Sequence, residues 1–206
     1  MELILKYFPG ITEKQIGQFD DMERIYSDWN SKVNVISRKD FGFFYERHVL
    51  HSLGIAKIIR FADGIKILDA GTGGGFPGIP LAVLFPKANF HLVDSIGKKI
   101  KVVEDVNRQL GLINSTCEQN RLDNLSDKYD FIVSRAVTAL PDFIDLTWKL
   151  ISPIQRNTTK NGILYLKGGE FNKELKSLNK SYQIYNLNLF FEEPYFETKK
   201  LIHIYR

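Results

Sequence analysis

The sequence predicts an α/β fold: a mostly parallel sheet of about seven strands, wound with helices on both faces, closing in an antiparallel hairpin and preceded by a helical extension. Three observations predict it. From Ile65 to about Ser181, short apolar runs alternate with segments of helical period, as strands joined by crossover helices do. The last two apolar runs, Tyr182 to Phe191 and Leu201 to Tyr205, have no helix between them, and short connections of that kind join antiparallel neighbours. Ahead of Ile65 there is helical spacing but no strand run. The reading is therefore a helical extension over residues 1–60, packed on an α/β domain over residues 61–206, in a Rossmann-like plan.

In chain order, Ile16, Phe19, Met22, Ile25, Tyr26 and Trp29 recur at helical spacing, and Asn30-Ser31 weakens that helix. A second helix is predicted from about Asp40 to Ile59, carrying Phe43, Phe44, Arg47, His48 and His51. Ile65 to Asp69 is a strand that stops in glycines. Pro77 to Phe85 is a helix with proline near its start. Asn89 to Asp94 is the second strand and Gly97 to Leu110 the next helix, with Ile100, Val103, Val106 and Leu110 on one face. Ile113 to Cys117, Tyr129 to Ser134 and Ile163 to Lys167 are the third to fifth strands. Leu140 to Ile151 and Phe171 to Leu178 are helices.

Composition narrows the class. At 206 residues, 44% hydrophobic and 25% charged, the chain can bury a full core without staples. Cys117 is the single cysteine, so no internal disulfide can form, which fits a reducing compartment. Met1 to Pro9 lacks a signal-peptide plan, and the longest apolar run, Ile79 to Phe85, is too short to span a bilayer. The expectation is a cytoplasmic monomer with no membrane partner. The net charge of +4 permits a polyanionic partner without requiring one.

The chemistry-bearing segment is Asp69-Ala70-Gly71-Thr72-Gly73-Gly74-Gly75-Phe76, between a strand and a helix. Glycines there let the main chain approach a ligand and adopt angles closed to other residues. The spacing is G-x-G-x-G, not the dinucleotide G-x-G-x-x-G. Asp69, two residues before the first glycine, suits a cationic amino-acid moiety better than a pyrophosphate. Asp94 ends the second strand, where a carboxylate can accept both hydroxyls of a ribose; its plainer reading is a cap on the following helix. With the closing hairpin, these features outline the class I S-adenosylmethionine-dependent methyltransferase fold. A structural turn and a nucleotide-cofactor oxidoreductase are the competing readings of the loop.

Beyond the loop, Trp29-Asn30 with Asn34-Val35-Ile36-Ser37, Glu46 to Leu53, Asp69 to Leu81, Asp94-Ser95 with Lys98-Lys99, Ser134 to Val137, and Leu166 to Gly169 occur in this order across nearly the whole chain. On these segments the sequence resembles the bacterial 16S rRNA guanine-N7 methyltransferases, the glucose-inhibited division protein B family. The resemblance implies transfer of methyl from S-adenosylmethionine to N7 of one guanine, nucleotide 527, in the 530 loop of 16S rRNA. The substrate would be the rRNA or the small ribosomal subunit. It further implies that Gly71, Gly73, Gly75 and Phe76 line the cofactor, that Asp94 and Ser95 hold its ribose, and that Leu122 and Asp123 frame its adenine. Arg135 would stand at the cofactor or substrate mouth. Where family members carry Arg-Ala-Glu, this chain has Arg121-Leu122-Asp123.

Guanine N7 carries an exposed lone pair, so such a reaction needs no catalytic base and no metal; it needs alignment, which can supply roughly 7–11 kcal/mol of a barrier. Orientation is assigned to Arg135, Lys167 and His48. Arg47, Lys98, Lys99, Arg135 and Lys167 are the expected RNA contacts, several of them at strand carboxyl ends. His48 and His51 lack further ligands for a metal. Cys117 reads as a buried strand residue, and Phe43 and Phe44 as core. The alternatives are a methyltransferase with a small-molecule or protein substrate and a non-catalytic RNA-binding module.

Overall fold

The computed structural model describes residues 1–33, 35–135, 139–176 and 178–206, with the side chain of Arg38 left aside. Asn34, Ala136 and Val137 of the family segments lie outside the described residues. The strands are β1 (Lys66–Ala70), β2 (Asn89–Asp94), β3 (Ser115–Gln119), β4 (Phe131–Arg135), β5 (Gly162–Gly168), β6 (Ser181–Asn186) and β7 (Lys199–Tyr205). They form one sheet in the order β3-β2-β1-β4-β5-β7-β6. β1 to β5 pair in parallel, and β7 is antiparallel to both β5 and β6.

Side-chain alternation divides the core between the two faces of this sheet. Ile67, Phe90, Leu92, Phe131, Val133, Leu164 and Leu166 join one cluster, while Leu68, Ala70, Val93, Ile132, Ile163 and Tyr165 join the other. The first face is covered by α1 (Glu2–Tyr7), α2 (Glu13–Lys32), α5 (Gly78–Leu84) and α6 (Gly97–Gln109), together with the short α3 (Arg38–Phe41) and α4 (His51–Leu53). The second takes α7 (Leu140–Thr147) and α8 (Asn172–Lys176). Ile4, Phe19, Met22 and Ile25 of the extension share the first cluster with the sheet.

Local chemistry explains why α2 sits where it does. Thr12 and Gln15 form a reciprocal capping box, Gln15 N to Thr12 Oγ1 at 3.3 Å and Thr12 N to Gln15 Oε1 at 2.8 Å. Gln15 Nε2 then donates to Val83 O at 2.9 Å, tying α2 to α5. Asn30 Oδ1 accepts from Val35 N and Ile36 N, which turns the chain after α2.

Three predicted elements differ. The single helix expected from Asp40 to Ile59 is four short pieces: α3, a π-helical segment Phe44–Leu50, α4, and a 3-10 turn Gly54–Lys57. The apolar pattern was real, since Phe44, Val49, Leu50, Leu53 and Ile55 are buried, but Phe43 is exposed. The strand expected to reach Phe191 ends at Asn186, because Leu187–Leu189 turns inward as a 3-10 segment with Leu187 fully buried. The third strand starts at Ser115, leaving Ile113 in solvent. Among the described residues no helix is long and apolar enough to cross a membrane.

Candidate active site

β1 pairs with β2 on one side and β4 on the other, so successive connections leave it in opposite directions. A crevice opens outside the carboxyl ends of strands at such a switch point. Here it is a pocket of about 500 Å³ lined by Gly71, Thr72, Gly73, Gly74 and Phe76 after β1, and by Val93, Asp94, Ser95 and Ile96 at the end of β2. Asn120, Arg121, Leu122 and Asp123 after β3 and Arg135 at the end of β4 complete most of the wall.

The loop is held by its own polar groups. Gly71 N and Thr72 N both donate to Val93 O at 2.9 Å. Asp94 Oδ2 accepts from Gly73 N at 2.9 Å and Oδ1 from Ile96 N at 2.9 Å. Each carboxylate oxygen has a second lone pair, so Asp94 can still accept two hydroxyls while fixing the loop. The cap reading does not hold: the N-cap of α6 is Ile96 with no side-chain cap bond, and Asp94 fixes the turn ahead of it. Gly73 has φ of +59°, and a Cβ there would meet nothing within 4 Å, so its open side is the pocket.

Asp69 and Gly75 are corrections. Neither lines the pocket. Asp69 is fully buried, and its Oδ2 accepts from Thr72 Oγ1 at 2.5 Å and Gly78 N at 2.8 Å. It braces the loop from behind. Burial pushes its carboxyl up to about 7, against the opposing pull of those two bonds and of Arg135. Gly75 has φ of +96°, and a Cβ there would lie 2.7 Å from Tyr26 Oη and 2.8 Å from Ile79 Cγ1. The glycine is required by packing: Tyr26, wholly buried, passes beside it to donate to Gly74 O at 2.6 Å.

Arg135 lies behind Phe76, its guanidinium carbon 5.3 Å from the ring centroid. It donates from Nη1 to Arg47 O at 3.0 Å and shares a 3.0 Å contact between Nη2 and His48 Nδ1. Burial, then the positive field of Arg135, lowers His48 to about 3, so the imidazole is neutral and Nδ1 accepts. His48 also packs against Phe44 and Phe76. Arg135 and His48 are therefore fixed to one another, Arg135 on the pocket wall and His48 outside that wall.

The expected basic rim is only partly assembled. Lys99 lines the pocket, but Lys98 points to solvent one residue earlier on α6. Lys167, expected at the mouth as an orienting and RNA-contacting residue, is turned to an acid. It is paired with Glu174 at 2.5 and 2.6 Å, its side chain is 16% exposed, and it lines neither pocket. Arg47 is paired with Asp40 at 2.8 Å and borders a second cavity beside Arg135. Cys117 lies partly buried on β3, with burial pushing its thiol up to about 12. Sequence reasoning missed Val35, Val93, Ile96, Asn120, Arg121 and Leu146 as wall residues. Val93, Ile96 and Arg121 carried a signal, as neighbours of Asp94, Ser95 and Leu122.

Fold and site together define a class I S-adenosylmethionine-dependent methyltransferase. A solved S-adenosylmethionine-dependent methyltransferase from Aquifex aeolicus has the same fold: TM-score 0.58, 12% identity, covering 83% of this chain and 100% of that one. Closer relatives fix the family. The family described as rRNA small subunit methyltransferase G matches residues 15–198. The ribosomal RNA small subunit methyltransferase G of Cytophaga hutchinsonii is 52% identical over 204 residues, covering 99% of both chains. That of Bacteroides thetaiotaomicron is 53% identical over 203 residues, covering 98% of both. The chain belongs to the rRNA small subunit methyltransferase G family.

The residues present fit the cofactor. The pocket volume suits a nucleoside-sized molecule. Asp94 offers free lone pairs at the position for a ribose, and the open side of Gly73 leaves room beside the loop.

Proposed function

We propose that the protein transfers a methyl group to N7 of a guanine in the 530 loop of small-subunit rRNA. The cofactor half of this reading is supported by one observation above all: a glycine loop braced by Asp69 and Asp94 opens onto a pocket of about 500 Å³ at the switch point of the sheet. The substrate half is supported by the full-length likeness to proteins named for small-subunit rRNA.

When bound, the cofactor supplies an electrophilic methyl on sulfur. Asp94 and Ser95 would hold its ribose hydroxyls, and Leu122 and Asp123 would border its adenine. Phe76 closes the inner wall and, with His48 and Arg135, keeps water from the reacting edge. N7 attacks with a lone pair it already has, so these side chains orient and exclude water; none needs to take a proton. The reaction would run in the cytoplasm.

The test is to incubate the protein with labelled S-adenosylmethionine and small subunits or 16S rRNA from a strain lacking this gene, then map the label. Label on N7 of one 530-loop guanine is expected. Label confined to protein or to small molecules would support the alternative substrate class and end this reading.

A further inference from the structure

A second cavity of about 230 Å³ lies on the far side of Arg135 from the glycine loop. It is walled by the π-helical segment through Arg47 and His48, by α4 through His51, by the end of β5, and by Tyr195 and Lys199 ahead of and at the start of β7. Arg135 is the one residue it shares with the wall of the glycine-loop pocket.

Its charges do not balance. Arg47, Arg135 and Lys199 are cations, and Asp40 is the one carboxylate on the wall. Asp40 is already paired with Arg47 at 2.8 Å and bonded to Ser37 Oγ at 2.6 Å. Among the described residues no carboxylate lies within ion-pair distance of Lys199 or Arg135. Lys199 and Arg47 instead lie against the same Tyr195 ring, at 4.4 and 5.6 Å from its centroid. Burial and the nearby Arg47 hold the Lys199 ammonium below its usual range. The two histidines add no charge, since burial and the cations keep both neutral.

Donors are left over as well as charge. Arg47 Nε and His48 Nε2 are buried without a hydrogen-bond partner, and His48 Nε2 carries the ring proton because Nδ1 accepts from Arg135. Like charges gathered in one cavity cost free energy, and one oxyanion bound among them would relieve that cost. Gly168 makes room for the arrangement: a Cβ there would lie 2.9 Å from Lys199 Nζ and 3.1 Å from its Cδ.

We propose that this cavity is an oxyanion subsite that seats one phosphate of the RNA substrate beside the target guanine, held by Arg47, Arg135 and Lys199. It rests on the rRNA reading for the source of the phosphate, but not for the site itself. It also replaces the basic rim expected from sequence: Lys167 is spent on Glu174, while Lys199 supplies the missing cation.

The experiment has two arms, both on the full chain. In the first, inorganic phosphate is titrated while the imidazole resonances of His48 and His51 are followed by NMR. Saturable shifts are expected in the wild type and in Lys199→Arg, and their loss in Lys199→Gln. Gly168→Ala, which displaces only the tip of Lys199, should weaken phosphate in the same direction without removing a charge. In the second arm, Lys199→Gln should raise KM for rRNA about tenfold with cofactor affinity unchanged, and make the salt dependence of RNA binding shallower by about 0.7–0.9 in log–log slope, the share of one phosphate. Absence of saturable shifts in folded wild type, or equal shifts in Lys199→Gln, overturns the subsite. Phosphate binding with unaltered KM and salt slope overturns the assignment to RNA. Phosphate binding in a protein that methylates no rRNA would sink the proposed substrate while leaving the subsite standing.

Discussion

Gly75→Ala separates two accounts of the glycine loop. If Gly75 served the cofactor, alanine would spare the fold and block binding. The structure requires the opposite order of effects. Alanine at φ of +96° carries backbone strain of about 1–3 kcal/mol. Its Cβ would sit 2.7 Å from Tyr26 Oη and 2.8 Å from Ile79 Cγ1, so both must move. Tyr26 cannot move without stretching its 2.6 Å bond to Gly74 O, and a buried acceptor left unpaired costs about 1–3 kcal/mol more. The sum is roughly 2–6 kcal/mol, a large part of the stability of a domain of this size. At about 2–4 °C per kcal/mol, Tm should fall by at least about 4 °C. Gly73→Ala is the control. It has φ of +59° and open space at Cβ, so it should lose only about 1–2 kcal/mol while crowding the cofactor. Thermal unfolding by circular dichroism and calorimetry with S-adenosylmethionine read the two effects. A Gly75→Ala protein melting within about 1 °C of wild type, or melting above Gly73→Ala, would refute the packing account.

Asp94→Asn should weaken S-adenosylmethionine roughly ten- to hundredfold by calorimetry, the cost of about 1.5–3 kcal/mol for hydrogen bonds to a charged group; unchanged affinity would remove Asp94 from the ribose site. Asp69 has a folded-state pKa raised to about 7, so the native state binds more protons than the unfolded chain between about pH 4 and 7, and stability must fall as pH rises through that window. Denaturant melts of Asp69→Asn should lack this decline relative to wild type, and a parallel pH profile would contradict it. His48 has its folded pKa depressed, so the unfolded chain binds the extra proton below about pH 6.5 and stability is lost as pH drops through that value. His48→Gln should reduce that acid sensitivity, and an unchanged slope between pH 7 and 5 would count against a buried neutral imidazole.

The alternation of strands and helices was legible because period-two and period-3.6 patterns report burial directly. The closing strands were legible in direction but not in order. β7 inserts between β5 and β6 because Leu201, Ile202 and Ile204 are fully buried whereas β6 is largely exposed, a difference visible only once partners are known. The glycine loop pointed to a pocket, yet spacing cannot tell whether a missing Cβ leaves open space, as at Gly73, or makes room for a tyrosine from α2, as at Gly75. Asp69 ends its strand beside the loop, but spacing does not show which way a carboxylate points, and its bonds to Thr72 and Gly78 face inward. Lys167 sat at the expected strand end, but its pairing with Glu174 depends on how α8 folds back. The second cavity had no local signal, since Arg47, Arg135 and Lys199 come from three distant segments.

The charge imbalance of that cavity bears on the reaction itself. On the proposed chemistry, methyl transfer moves one unit of positive charge from sulfur onto the purine. The charge starts on sulfur, in the same field, so only the difference counts: a cation about 8 Å from the purine and about 11 Å from sulfur, at an effective dielectric of about 20, would oppose the transfer by about 0.6 kcal/mol. That is roughly a two- to threefold loss in rate for each such charge. Three cations with one compensating carboxylate beside the reacting edge would therefore slow the step they adjoin. A phosphate held among Arg47, Arg135 and Lys199 removes most of that penalty when the RNA is in place and leaves it intact when it is not. The same residues that grip the substrate would then favour methyl transfer to a base that arrives with its backbone, and disfavour transfer to a free guanine. Methylation of guanosine without a phosphate at a rate matching that of rRNA would show that no such coupling exists.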